Sequence, residues 1–111
     1  SPLYAVGMVF LNTDSARANL AKQSLESHLT LKGLSVAGWR TVPIDPSGCG
    51  EEALNSLPVI EQIMVNAPTE MDAADFERRL YMARRLTEKS IDSDDPVFYI
   101  YQVIPFRIRA W

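Results

Sequence analysis

The chain has 111 residues, 47% hydrophobic and 23% charged, which bounds it to one domain of ordinary globular composition. Its 11 lysines and arginines stand against 14 acidic residues, a formal net charge of -3, and so exclude the basic stripe that nucleic-acid binding requires. One cysteine and one histidine rule out an internal disulfide and a four-ligand zinc site, and no apolar run reaches the roughly 20 residues of a membrane span.

There is no basic start followed by an apolar stretch, so the expected setting is the cytoplasm. Ser1, where an initiator methionine would stand, reads as the start of a processed chain. An N-terminal serine before a strand also suggests an N-terminal nucleophile, but Pro2 directly after it favours a remnant left by recombinant expression.

The first apolar run, Leu3 to Leu11 ("LYAVGMVFL"), is continuous rather than alternating and predicts a strand buried on both faces. Asp14 is placed to cap the next segment. There Ala18, Ala21, Leu25 and Leu29 recur at spacings of three and four, predicting an amphipathic helix over 15–32. Gly33 sits where such a helix stops.

Leu34 to about Ile44 predicts the second strand, with Pro43 marking its end. The connection "DPSGCGEEALNSLP" reads as turns followed by one or two helical turns at Glu51 to Ser56. Val59 to Val65 is the third strand. Asp72 then caps a second long helix with Phe76, Leu80, Ala83 and Thr87 along one face. Val97 to Ile104 ("VFYIYQVI") is the fourth strand.

The order is βαββαβ. It predicts an α+β, ferredoxin-like fold: a four-stranded antiparallel sheet, two long helices on one face, and a short helix between strands two and three. Strands one and four are apolar or aromatic on both sides, whereas two helices cover only one. The second face therefore predicts a contact surface, covered by another chain or by further parts of a longer protein.

Few residues point to chemistry. Cys49 lies between two glycines at the start of the short helical stretch, which would lower a thiol pKa, but Glu51 and Glu52 oppose a thiolate. The only histidine, His28, falls at the margin of the first helix's apolar stripe, so Cys49 reads as a turn residue. Trp39 and Arg40 point to opposite faces of their strand. Arg40 is expected to pair with a neighbouring acid.

The arginines Arg78, Arg79, Arg84 and Arg85 spread around a helix, with Asp75–Arg79 and Arg84–Glu88 as i,i+4 pairs on a solvated or interface side. The five glycines form no phosphate loop. Asp92, Asp94 and Asp95 lack the spacing of a calcium loop. No catalytic, cofactor-binding or metal-binding residue is assigned.

The runs "YAVGMVFL", "GLSVAGWRTVPID", "GEEALNSLPVIEQIMV", "FERRLYMARR" and "FYI" carry more. In order and spacing, from Tyr4 to about Ile100, the chain resembles the glutamine amidotransferase domain of the large subunit of glutamate synthase. "GWRTVP" followed by "PVIEQ" is the most specific part. Two departures stand out: Leu11-Asn12 where the family has Leu-Pro, and "YQVIPFRIRAW" after "FYI".

The resemblance implies a parent that hydrolyses glutamine through a cysteine thioester, passes ammonia to 2-oxoglutarate and reduces the imine with FMN and an iron–sulfur cluster. The family's nucleophile lies upstream of this segment and its oxyanion and glutamine-holding residues lie downstream, so none falls on a residue here. The implied role is a non-catalytic structural lobe, one domain segment spanning 1–111, whose partner is the rest of the amidotransferase domain. In isolation the chain is expected to form a homodimer, with Phe106 and Trp111 contributing. The alternative is a free-standing ferredoxin-like dimeric module that binds a ligand or regulates; a third possibility is a truncated gene product without activity.

Overall fold

The structure, a computed structural model, describes residues 2–10, 15–42, 59–91 and 98–106. The elements run β1 (Leu3–Phe10), α1 (Ser15–Leu31), β2 (Ser35–Val42), β3 (Val59–Asn66), α2 (Ala73–Ser90) and β4 (Phe98–Phe106). All neighbouring strands are antiparallel, in the order β2-β3-β1-β4. This is the ferredoxin-like arrangement that the element order predicts. Asp14, Pro43, Cys49, the short helix at Glu51 to Ser56 and the aspartates Asp92, Asp94 and Asp95 lie outside the described residues.

Local chemistry sets the helix boundaries. Gly33 has φ of 81°, a left-handed conformation that costs a glycine little. Its N–H donates to the Thr30 carbonyl and the Leu34 N–H to the Leu29 carbonyl, both at 3.0 Å, so α1 ends in a Schellman motif. Leu29 and Leu34 are both buried, supplying the apolar contact that accompanies this cap. At the start of α2, Asp72 is extended and its Oδ1 accepts from the Asp75 N–H at 2.7 Å.

The core lies between the helices and one face of the sheet. Ala21, Leu25 and Leu29 of α1 and Phe76, Leu80 and Ala83 of α2 meet Tyr4, Val6, Met8 and Phe10, every second residue of β1. Ile63, Val65 and Phe98 extend this layer across the neighbouring strands. The Tyr4 and Phe76 rings stack with centroids 3.8 Å apart and planes 8° from parallel. Thr87, on the same stripe, is fully buried because its hydroxyl donates to the Ala83 carbonyl at 2.8 Å.

The structure extends β4 beyond the expected Ile104, through Pro105 to Phe106, which pairs with Leu3. Proline is tolerated there because β4 is an edge strand and carries fewer ladder bonds than a central one. Both edge strands also carry an irregularity: β4 shifts register opposite Gly7/Met8, and β2 shifts between Val36 and Gly38.

Candidate functional site

Among the described residues, both helices pack on one face of the sheet, and the other face is the candidate surface. Its positions follow from the register: Leu3, Ala5, Gly7 and Val9 on β1, Ile60, Gln62, Met64 and Asn66 on β3, with Arg40 beside Gln62 on β2 and Gln102 beside Gly7 on β4. Tyr99, Tyr101 and Ile104 of β4 are 42%, 51% and 36% exposed, whereas Ala5 and Gly7 at the centre of this face are buried. The Tyr101 ring lies over Gly7, where a Cβ would come within 2.6 Å of its Cζ. Glycine at this position lets the ring lie flat on the backbone.

A row of polar groups crosses this apolar face, from Arg40 through Gln62 to Gln102, interrupted at Gly7. Arg40 is exposed. Among the described residues no acid pairs with it. Its cross-strand neighbour is the neutral Gln62, and Glu61 points to the other face. Trp39, as expected, turns the opposite way and packs against the core.

Beneath the helices, Trp39 belongs to a charged cluster. Lys22 is paired with Glu61 across the interface between α1 and β3, and Thr41 Oγ1 donates to the same carboxylate oxygen at 3.4 Å. The ammonium also lies 5.4 Å from the Trp39 ring centroid and 5.9 Å from that of Phe10, within cation–π range. Trp39 Nε1 donates to Glu26. Glu61 is buried and its second oxygen, Oε2, has no hydrogen-bond partner among the described residues.

His28 joins a second cluster between the helices. Its Nδ1 lies 3.2 Å from Thr87 Oγ1 and 3.4 Å from Ser24 Oγ, while Ser24 Oγ is 2.7 Å from Ser90 Oγ. Each hydroxyl has one hydrogen. Thr87 gives its own to the Ala83 carbonyl and Ser90 gives its own to the Thr87 carbonyl. All contacts are therefore met together only when Ser24 donates to Ser90 and His28 Nδ1–H is shared between Thr87 and, more weakly, Ser24. In that state Nδ1 is not a base for Ser24, and the group is a clasp between helices rather than a nucleophilic pair.

The arginines of α2 divide. Asp75 pairs with Arg78 and, at 3.7 Å, with Arg79; Arg84 and Glu88 pair at 3.1 Å. The two i,i+4 pairs are those read from the sequence. Arg79 goes further, its Nη1 donating at 2.7 Å to the Lys32 carbonyl at the end of α1. A guanidinium there satisfies a free helix carbonyl and complements the helix dipole. A sequence pattern gives no sign of this link, which joins residues on two helices.

The chain's one cysteine cannot by itself supply the four thiolates that hold an iron–sulfur cluster. Among the described residues, no group of three or more His, Cys, Asp or Glu is arranged to hold a metal, and no helix is long and apolar enough to cross a membrane.

A family model of the class-II glutamine amidotransferases matches residues 1–105, and the chain belongs to that family. Among curated relatives, the chain is 43% identical over 88 residues to a chloroplastic ferredoxin-dependent glutamate synthase of Oryza sativa subsp. japonica, covering 79% of this chain. It is 38% identical over 95 residues to ferredoxin-dependent glutamate synthase 2 of Synechocystis sp., covering 86%. It is 33% identical over 86 residues to the glutamate synthase [NADPH] large chain of Bacillus subtilis, covering 77%. The chain spans only 5% of the first relative's length and 6% of the other two. Among solved structures, a dimeric ferredoxin-like protein of unknown function from Jannaschia sp. CCS1 matches 97% of this chain and 100% of its own, with 10% identity and a TM-score of 0.37.

Proposed function

We propose that this chain is a structural lobe of the glutaminase domain of a glutamate synthase, serving glutamine-dependent glutamate synthesis without carrying the catalytic groups. The observation that supports this most is the uncovered apolar face in a segment matching a small fraction of much longer relatives. In a longer protein, the remainder of the amidotransferase domain covers that face. The nucleophile, the FMN and the iron–sulfur cluster belong to other parts of that protein. Residues 1–111 act as one unit, and a cytoplasmic setting is proposed with it.

The test is a graft. The matching segment of the Synechocystis enzyme is replaced by this chain, and ammonia release from glutamine is measured beside the isolated chain. The graft is expected to hydrolyse glutamine. The isolated chain is expected to release no ammonia, whether or not Cys49 is alkylated. An inactive graft whose other parts fold normally, or turnover by the isolated chain that alkylation abolishes, would overturn the proposal.

A second reading, a free-standing ferredoxin-like module, is favoured by the completeness of the core. The helices and one sheet face close on each other without any further element.

A further inference from the structure

We infer that the open face, rather than either sheet edge, is the docking surface of this chain, and that in isolation its occupant is a second copy. The inference rests on the proposal that this face is covered in the longer protein, and it specifies how the surface pairs when the covering part is absent.

The edges are poor partners. An exposed edge adds a strand most readily when it is long, flat and rich in free donors. Here β2 carries a register shift between Val36 and Gly38, with Ser35, Ala37, Arg40 and Thr41 exposed along it. On β4 the shift opposite Gly7/Met8 breaks the ladder, and Pro105 has no N–H to offer. Both edges are thus blunted in the way that sheets avoid edge-to-edge association.

The face carries no comparable protection. Arg40 is its one charged position among the described residues, so two copies meet without a field of like charges. Strands of eight residues, about 3.3 Å per residue and about 4.8 Å apart, give a four-stranded face of roughly 500 Å². Ala5 and Gly7 at its centre are already buried, so two such faces bury at most about 1,000 Å² in total, the lower bound for a specific interface. The dimer is accordingly concentration-dependent rather than obligate.

Arg40 selects the arrangement. In a twofold pairing whose axis lies across the strands, β2 stacks on β2 and the two Arg40 side chains approach. With the axis parallel to the strands, β2 lies over the partner's β4 instead. Arg40 then meets the aromatic side chains of Tyr99 and Tyr101 in the second copy, a favourable contact for a guanidinium. Each copy contributes the same patch, and the assembly closes at two.

Sedimentation equilibrium on the 111-residue chain tests this. The wild-type chain is expected to dimerise in the high-micromolar range, and Ile104→Glu to raise the dissociation constant at least about tenfold with unchanged far-UV circular dichroism. Tyr99→Glu, at another exposed position, repeats the test if Ile104→Glu perturbs folding. Arg40→Ala is expected to weaken the dimer, and Ala37→Lys, on the β2 edge, to leave it intact. A wild-type chain that stays monomeric, or a dimer that survives both glutamate variants or is lost in Ala37→Lys, overturns the inference. An active graft beside a monomeric isolated chain would retain the lobe and reject only the self-pairing.

Discussion

Removing either member of the Lys22–Glu61 pair should have very different consequences. The Lys22 side chain is 23% exposed and that of Glu61 only 6%. Among the described residues Glu61 has no partner for Oε2, so it depends on Lys22 and the long Thr41 contact at Oε1. Lys22→Met leaves a buried carboxylate with almost no compensation, expected to cost about 3 kcal/mol. Glu61→Leu strands no equivalent charge, because the ammonium retains solvent and two aromatic faces; the expected cost is below about 1 kcal/mol. The double variant replaces both charges with apolar volume and should come out near neutral or slightly stabilised. Urea unfolding followed by the fluorescence of Trp39 reads all three. With a slope of about 1.5 kcal/mol/M, Lys22→Met should lower the midpoint by roughly 2 M. The reverse asymmetry, with Glu61→Leu the damaging change and Lys22→Met mild, would show that the carboxylate is stabilised independently of Lys22.

Phe76→Ala removes a fully buried ring stacked on Tyr4 and should destabilise by about 3–5 kcal/mol in the same urea assay. Gly33→Ala imposes a left-handed conformation on a residue with a Cβ, which would lie 3.3 Å from Arg79 Nη1, so a loss of about 1–2 kcal/mol is expected. Gly38→Ala is the control: a Cβ there meets nothing within 4 Å, and calorimetry should find stability changed by less than about 1 kcal/mol. Arg79→Gln should lower the melting temperature by a few degrees, equivalent to about 1 kcal/mol for the bond to the Lys32 carbonyl. Arg79→Lys should recover only part of it, since an ammonium lacks the planar fork.

The elements readable in advance were those fixed by local chemistry. Gly33 and Asp72 mark helix ends through backbone groups within a few residues, and the stripe Phe76, Leu80, Ala83, Thr87 follows from helical periodicity alone. The opposite orientations of Trp39 and Arg40 follow from strand alternation. The uncovered face was also legible, because β1 and β4 lack the polar alternation of a solvated sheet side. What escaped depends on distant parts of the chain meeting. Lys22 and Glu61 are 39 residues apart and Arg79 and Lys32 are 47 apart, so only the packed helices and sheet unite them. Arg40 stands beside Gln62 through the pairing of β2 with β3, which local sequence does not announce. The sequence reading ends the fourth strand at Ile104, yet β4 continues through Pro105 to Phe106 at the edge of the sheet. The class of protein came from motif spacing rather than from any assembled site.

The pairing of β1 also bears on how the chain folds. Leu3 finds Asn66 on one side and Phe106 on the other, so β1 is flanked by strands that follow it much later in the chain. The first strand cannot take its central position through contacts with near neighbours in sequence, and closing such long loops slows folding. During synthesis β1 precedes both of the strands it pairs with here, β3 and then β4. The hazard is greatest before β4 emerges, when β1 would still be an unprotected edge. Pulse-labelled hydrogen exchange should find the amides of α1 and α2 protected first, and those joining β1 to β4 last.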